Sequence, residues 1–268
     1  MAITTLDGLV AGALAPVPLF KVGTAAEAVG VLHSLFYATG NPGAAAAPTP
    51  GLAGAALTTY GGQIPFTNPS SGNTYLLRLA CSATVACGLW VLDRLWHNSG
   101  IVVTTTTAQT INSVAWPARD RDGSTNGAGV MVGIEVRTAT TNAGAITNTT
   151  MSYTNQAGTA GRTATIASFP ATAVIGTFVP FQLQGDDTGV RSIQSVTLGT
   201  SYGAGAIHLV AYRPLAVLGL TIANIPFDLG AIGAGVVRLF DNTVPFLVQM
   251  PTATTATTFQ GTLGVTQG

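Results

Sequence analysis

Apolar and polar residues alternate along much of the middle of this chain with a period near two, the period of a half-buried strand. Ser192-Ile193-Gln194-Ser195-Val196-Thr197-Leu198 is the clearest case. Val130-Met131-Val132-Gly133-Ile134-Glu135-Val136-Arg137 follows the same rule, with Glu135 and Arg137 expected outward on one face. Runs rich in Val, Ile, Thr and Leu predict strands near residues 74–82, 87–96, 101–107, 130–138, 149–154, 164–168, 177–183, 193–201 and 207–214. Turn residues separate them at Gly72-Asn73, Asn126-Gly127, Gly144, Gly158, Gly185-Asp186 and Gly203. Residues 217–225 are strand-like as well, and 236–240 and 244–250 read as short apolar strands around Asp241-Asn242-Thr243. Strands at this spacing, with no helical pattern between them, predict an all-β chain with a β-sandwich or jelly-roll-like core.

The ends read differently. Ala25, Ala28, Val29, Leu32, Leu35 and Phe36 have helical spacing, with Thr24 as N-cap and Glu27 completing a capping box. Gly40 and Pro42 would stop that helix, and 43–57 reads as an extended Ala/Pro/Gly linker. Residues 251–268 carry no charge and are rich in Thr, so they are expected to dock on a neighbour as a strand or arm. The division expected is an N-terminal arm over 1–55 with its short helix and linker, a β-sandwich core over 56–216, and a C-terminal β segment and arm over 217–268.

Composition changes the picture in one respect. Only 7% of the 268 residues are charged, against 47% hydrophobic, where about 25% charged is usual. A surface so poor in charge suits a subunit largely covered by other copies or other proteins. Ten cations balance ten anions, so the basic face that nucleic acid requires is missing. Lys21 is the only lysine. Arginine's planar fork suits interface carboxylates, although GC-rich coding would favour it equally. No membrane span is expected, because Pro42, Pro48, Pro50, Pro65 and Pro69 interrupt the charge-free stretch from 28 to 77. The apolar stretch 9–15 imitates a signal peptide, but Asp7 stands where a basic residue belongs. Cys81 and Cys87 lack metal-site spacing and read as reduced, buried thiols.

Candidate chemistry is thin. His33, His97 and His208 stand apart, the only glutamates are Glu27 and Glu135, and no nucleophile elbow, phosphate loop or zinc motif occurs. Asp93-Arg94-Leu95-Trp96-His97-Asn98 admits a carbohydrate-facing reading, against a plainer one in which Asp93 and Arg94 pair locally and Trp96 covers the sandwich rim. Asp120, Asp122, Ser124 and Asn126 outline a weak candidate metal loop. It fails the EF-hand pattern, because the twelfth position from Asp122 is Gly133 and Glu135 comes two residues late. The plainer reading is a solvated loop of Arg–Asp pairs. No catalytic residue, metal or cofactor is assigned.

Asp93 to Ile101, Ser113 to Asp120, Tyr153 to Gly158 and His208 to Pro214 resemble stretches of tailed-bacteriophage virion structural proteins, over roughly residues 60–220. The resemblance implies a non-enzymatic virion component, assembled in the host cytoplasm. The expected role is a capsid decoration or cement protein that forms a homo-oligomer, expected to be a trimer, and touches the major capsid or other virion proteins. Neither nucleic acid nor a membrane is an expected partner. A neck or tail protein is the alternative, and a glycan- or receptor-binding module is the alternative from another class. Arg94, Trp96, His97, Arg119, Arg121 and Phe259 are the candidate interface residues.

Overall fold

The alternating segments become strands in the computed structural model, which describes residue 3 and residues 5–268. One short helix, α1 (Leu6–Ala11), precedes β1 (Val17–Val22), β2 (Leu32–Ser34), β3 (Gly40–Asn41) and β4 (Ala55–Ala56). Two long strands follow, β5 (Thr74–Ala83) and β6 (Cys87–His97), then β7 (Gln109–Thr110), β8 (Met131–Thr138), β9 (Ile146–Asn155) and β10 (Arg162–Phe169). The chain continues through β11 (Thr177–Pro180), β12 (Val190–Thr197), β13 (Ala206–Leu220), β14 (Phe227–Gly230), β15 (Arg238–Leu239), β16 (Pro245–Pro251) and β17 (Thr258–Gln267).

Six strands close on themselves. The order is β13-β8-β11-β2-β16-β6, and β6 pairs back onto β13, so every stave has two antiparallel neighbours. Phe36, Leu92, Phe178, Val210, Tyr212, Phe246 and Val248 fill the lumen. Alternate residues of the same strands point outward and are buried too. Val132, Ile134, Ile207 and Leu209 meet Met151, Tyr153, Ile166, Ile193 and Val196 of a second sheet, β10-β9-β12-β7. Leu89, Val91, Leu218 and Leu247 meet Leu19, Leu79, Phe259 and Leu263 of a third, β14-β5-β17-β1-β3, with β15 beside β5. The sandwich expected from the sequence is thus a barrel with a sheet packed on each of two walls.

Bulges keep the alternation in phase with the burial. Gln194 is the extra residue in β12, because Ile193 faces Tyr153 while Ser195 faces Ser152. Ile193 and Val196, three apart, therefore both point into the core. Residues 101–107 do not form the strand expected. The Gln109 side chain takes the partner's place there, accepting from Val102 N at 2.8 Å and donating to Val102 O at 3.0 Å.

The helix expected over 24–36 does not form. The capping-box hydrogen bond does, since Thr24 N donates to Glu27 Oε1 at 3.0 Å. Ala26 then adopts φ +62° and Gly30 φ +74°, which no right-handed helix accommodates. Leu32–Ser34 completes the barrel between β11 and β16 instead. Ladder hydrogen bonds on both sides outweigh a local helical preference. The helix that does form, α1, is capped by Thr5, whose Oγ1 accepts from Gly8 N at 3.0 Å.

The ends are built into the body rather than free as arms. β17 lies between β5 and β1, with Leu263 opposite both Leu79 and Val17. A charge-free strand is stable here because both its edges are paired and Phe259 and Leu263 are buried.

Candidate functional site

Eight of the twenty charged residues are buried in the body, among them Asp93, Arg94, Arg119, Asp120 and Glu135. Glu135 faces the barrel lumen, not solvent, because β8 is covered on both faces. In β6 a bulge at Leu95 lets Trp96 pair with Ala211 and Arg94 with Tyr212. The extra residue turns Arg94 and His97 into the same lumen while Trp96 points out. Arg94 grips Glu135 with both ends of its fork, Nη1–Oε1 at 3.0 Å and Nη2–Oε2 at 2.6 Å. Both side chains are fully enclosed. Tyr37 Oη donates to Glu135 Oε2 at 2.9 Å, and the Arg94 guanidinium lies 4.4 Å from the Phe36 ring centroid.

The titration states follow from these contacts. Burial alone would raise the Glu135 carboxyl, but the Arg94 charge and its hydrogen bonds hold it below the usual range. Arg94 Nε donates to His97 Nδ1 at 3.2 Å, so that nitrogen is an acceptor and the ring is neutral. Burial and then the Arg94 charge push His97 down to about 3. Burial likewise lowers His208 and His33 to about 4. The pair is sealed from solvent.

Asp93, next in the chain, faces the opposite way. Arg119 binds it through Nε–Oδ2 at 3.0 Å and Nη2–Oδ1 at 3.1 Å, and Val244 N adds a third donor at 2.9 Å. Arg119 Nη1 also donates to Leu57 O at 2.7 Å. Asp93 and Arg94 therefore do not pair with each other, as the plainer sequence reading had it. Adjacent residues of a strand point to opposite faces, and each found a distant partner.

Asp120 organises the candidate metal loop by itself. Its carboxylate accepts from the backbone N of Asp122, Ser124, Gly127 and Ala128, at 2.7–3.1 Å, and from Ser124 Oγ at 2.7 Å. Burial opposes ionisation, but these donors keep its carboxyl below the usual range. Five donors leave it little capacity for a cation, so Asp120, Asp122, Ser124 and Asn126 close on themselves. Asp122 points away and pairs with Arg121 on the surface at 3.1 Å. Among the described residues, no group of three or more His, Cys, Asp or Glu is placed to hold a metal.

Of the six candidate interface residues, five lie inside the chain. Arg94, Trp96, His97, Arg119 and Phe259 are at most 2% exposed, and only Arg121 has an exposed side chain. The arginines and His97 serve internal polar networks. Trp96 packs edge-on to Trp116 at 5.3 Å and donates to Ala53 O, and Phe259 sits in the third sheet's core. Cys81 and Cys87 are free and buried, and burial pushes their thiols up to about 11 and about 12.

One cluster of accessible polar side chains lies where the Asp120 loop meets the turn after β15. A cleft of about 440 Å³ lies there, with Arg119, Asp122, Arg238, Phe240 and Asp241 in its walls. Arg213, Arg238 and Phe240 were not singled out from the sequence. The Arg213 and Arg238 guanidiniums lie 5.0 and 4.6 Å from the Phe240 ring centroid. The available signal was three arginines, at 119, 121 and 238, beside aspartates in two turn segments.

No protein-family model and no curated protein matches the chain. Among solved structures it is weakly similar to the infectious bursal disease virus VP2 subviral particle, at TM-score 0.20 and 11% identity, covering 100% of this chain and 83% of that one. A second similarity is to the Gt strain of the same virus, at TM-score 0.17 and 15% identity, covering 76% and 47% of the two chains. TM-scores this low do not establish a shared fold.

Proposed function

We propose that this chain is a non-enzymatic structural subunit of a virion, acting as a capsid decoration or cement protein through homo-oligomers. The observation that carries this reading is the surface. Leu6, Val10, Val29, Ile222 and Ile232 are each more than half exposed, in a chain with only 7% charged residues. A surface that is both apolar and nearly uncharged favours association over solubility as a monomer. The two sealed ion pairs, Arg94–Glu135 and Asp93–Arg119, add support, because they hold four charges in the interior, where they stiffen the body. The phage-like sequence stretches point to the same setting.

Sedimentation at micromolar concentration, with copy number by quantitative mass spectrometry of purified particles, tests the reading. The expected result is a closed oligomer, a trimer, and on the order of hundreds of copies per particle. A count of about six to a few dozen would move the protein to the neck or tail. A stable monomer absent from particles would sink the virion reading.

A further inference from the structure

A second cleft, of about 420 Å³, adjoins the Asp120 loop, with Arg121, Arg213, Val236, Val237 and Arg238 in its walls. Three guanidiniums line it and no carboxylate does. Arg213, from β13, is the deepest, at 6% exposure. Its Nη2 donates to Arg238 O at 3.0 Å, and its Nε is enclosed with no hydrogen-bond partner. Among the described residues nothing accepts from its Nη1.

The neighbouring carboxylates are already engaged. Asp93 stands 3.9 Å from Arg213 Nη2, but Arg119 and Val244 hold its oxygens. Asp120 is taken up by its own loop, and Asp122 by Arg121. A guanidinium this deeply buried with donors unmet is costly unless something supplies acceptor oxygens. Phe240, under both Arg213 and Arg238, holds the two side chains in place beforehand.

We propose that this cleft binds an oxyanion, a phosphate- or carboxylate-type group whose oxygens accept from Arg213, with Arg121 and Arg238 closing over it. Planar arginine forks suit such groups because they can donate two parallel hydrogen bonds. The source is either a free oxyanion or a carboxylate borne by a partner, and the site stands whether or not the virion reading does.

The test is thermal unfolding of the full chain with inorganic phosphate or succinate, against sodium chloride at matched ionic strength. Binding at about ten times Kd should give a saturable rise in Tm of about 2–5 °C. Phosphate alone raising Tm would favour a free oxyanion, and succinate alone a carboxylate partner. Arg121→Gln and Arg238→Gln, both at exposed positions, should keep a native circular dichroism spectrum and weaken binding about tenfold. No rise with either anion, a rise equal to that in chloride, or an unchanged rise in both variants would overturn the proposal.

Discussion

Glu135 shows what one residue can require of its surroundings. Its enclosed carboxylate accepts from Arg94 and Tyr37, with the Ser34 hydroxyl as a further donor beside it. Removing one partner leaves the other charge buried alone, which costs about 3–5 kcal/mol. Glu135→Gln should therefore lower stability by about that much, while Arg94→Met combined with Glu135→Leu should cost less than either single change. Urea unfolding of Glu135→Gln, of the two singles Arg94→Met and Glu135→Leu, and of their double variant checks this, and additive losses would show that the pair is not coupled. The three histidines make a further prediction. Their folded values, about 4, 3 and 4 for His33, His97 and His208, lie below the usual 6.5. The unfolded chain thus binds more protons in that window, so their contribution is complete above pH 6.5 and is lost as pH falls toward 4. Stability should fall across that range, and His208→Leu should flatten the slope by up to one proton. A wild-type Tm unchanged between pH 7 and pH 4.5 would contradict it.

Among the elements, the tail strand is the most exposed to test. β17 pairs with β5 and β1 and buries Phe259 and Leu263. Deleting 258–267 should expose both neighbours and unfold at least the third sheet, giving aggregated protein or lost near-ultraviolet circular dichroism. A soluble, native-like truncation would restore the arm picture. The strands near 74–82, 87–96 and 130–138 were legible because their apolar positions alternate and turn residues bound them. The tail strand was not, because its alternation runs through glycines, Gly261 and Gly264, and threonines. The 24–36 segment misled because its cap chemistry is real but serves a turn. Glu135 misled because alternation marks two faces without saying what covers each.

At the scale of the whole molecule, charge scarcity at the surface was legible from composition alone. The internal destination of eight of the twenty charged residues was not, since long-range partners such as Asp93 with Arg119, or Arg94 with Glu135, lie 26 and 41 residues apart. The same order that seals the barrel also sets a timetable. Val17 pairs with Leu263, and the strand that joins β1 to β5 is β17. On the ribosome, the third sheet must stay open until residues 258–267 emerge, and contacts this distant in sequence form slowly. The nascent chain therefore holds an unfilled slot between β1 and β5 until residues 258–267 are made, a slot that another chain's β17 could occupy first.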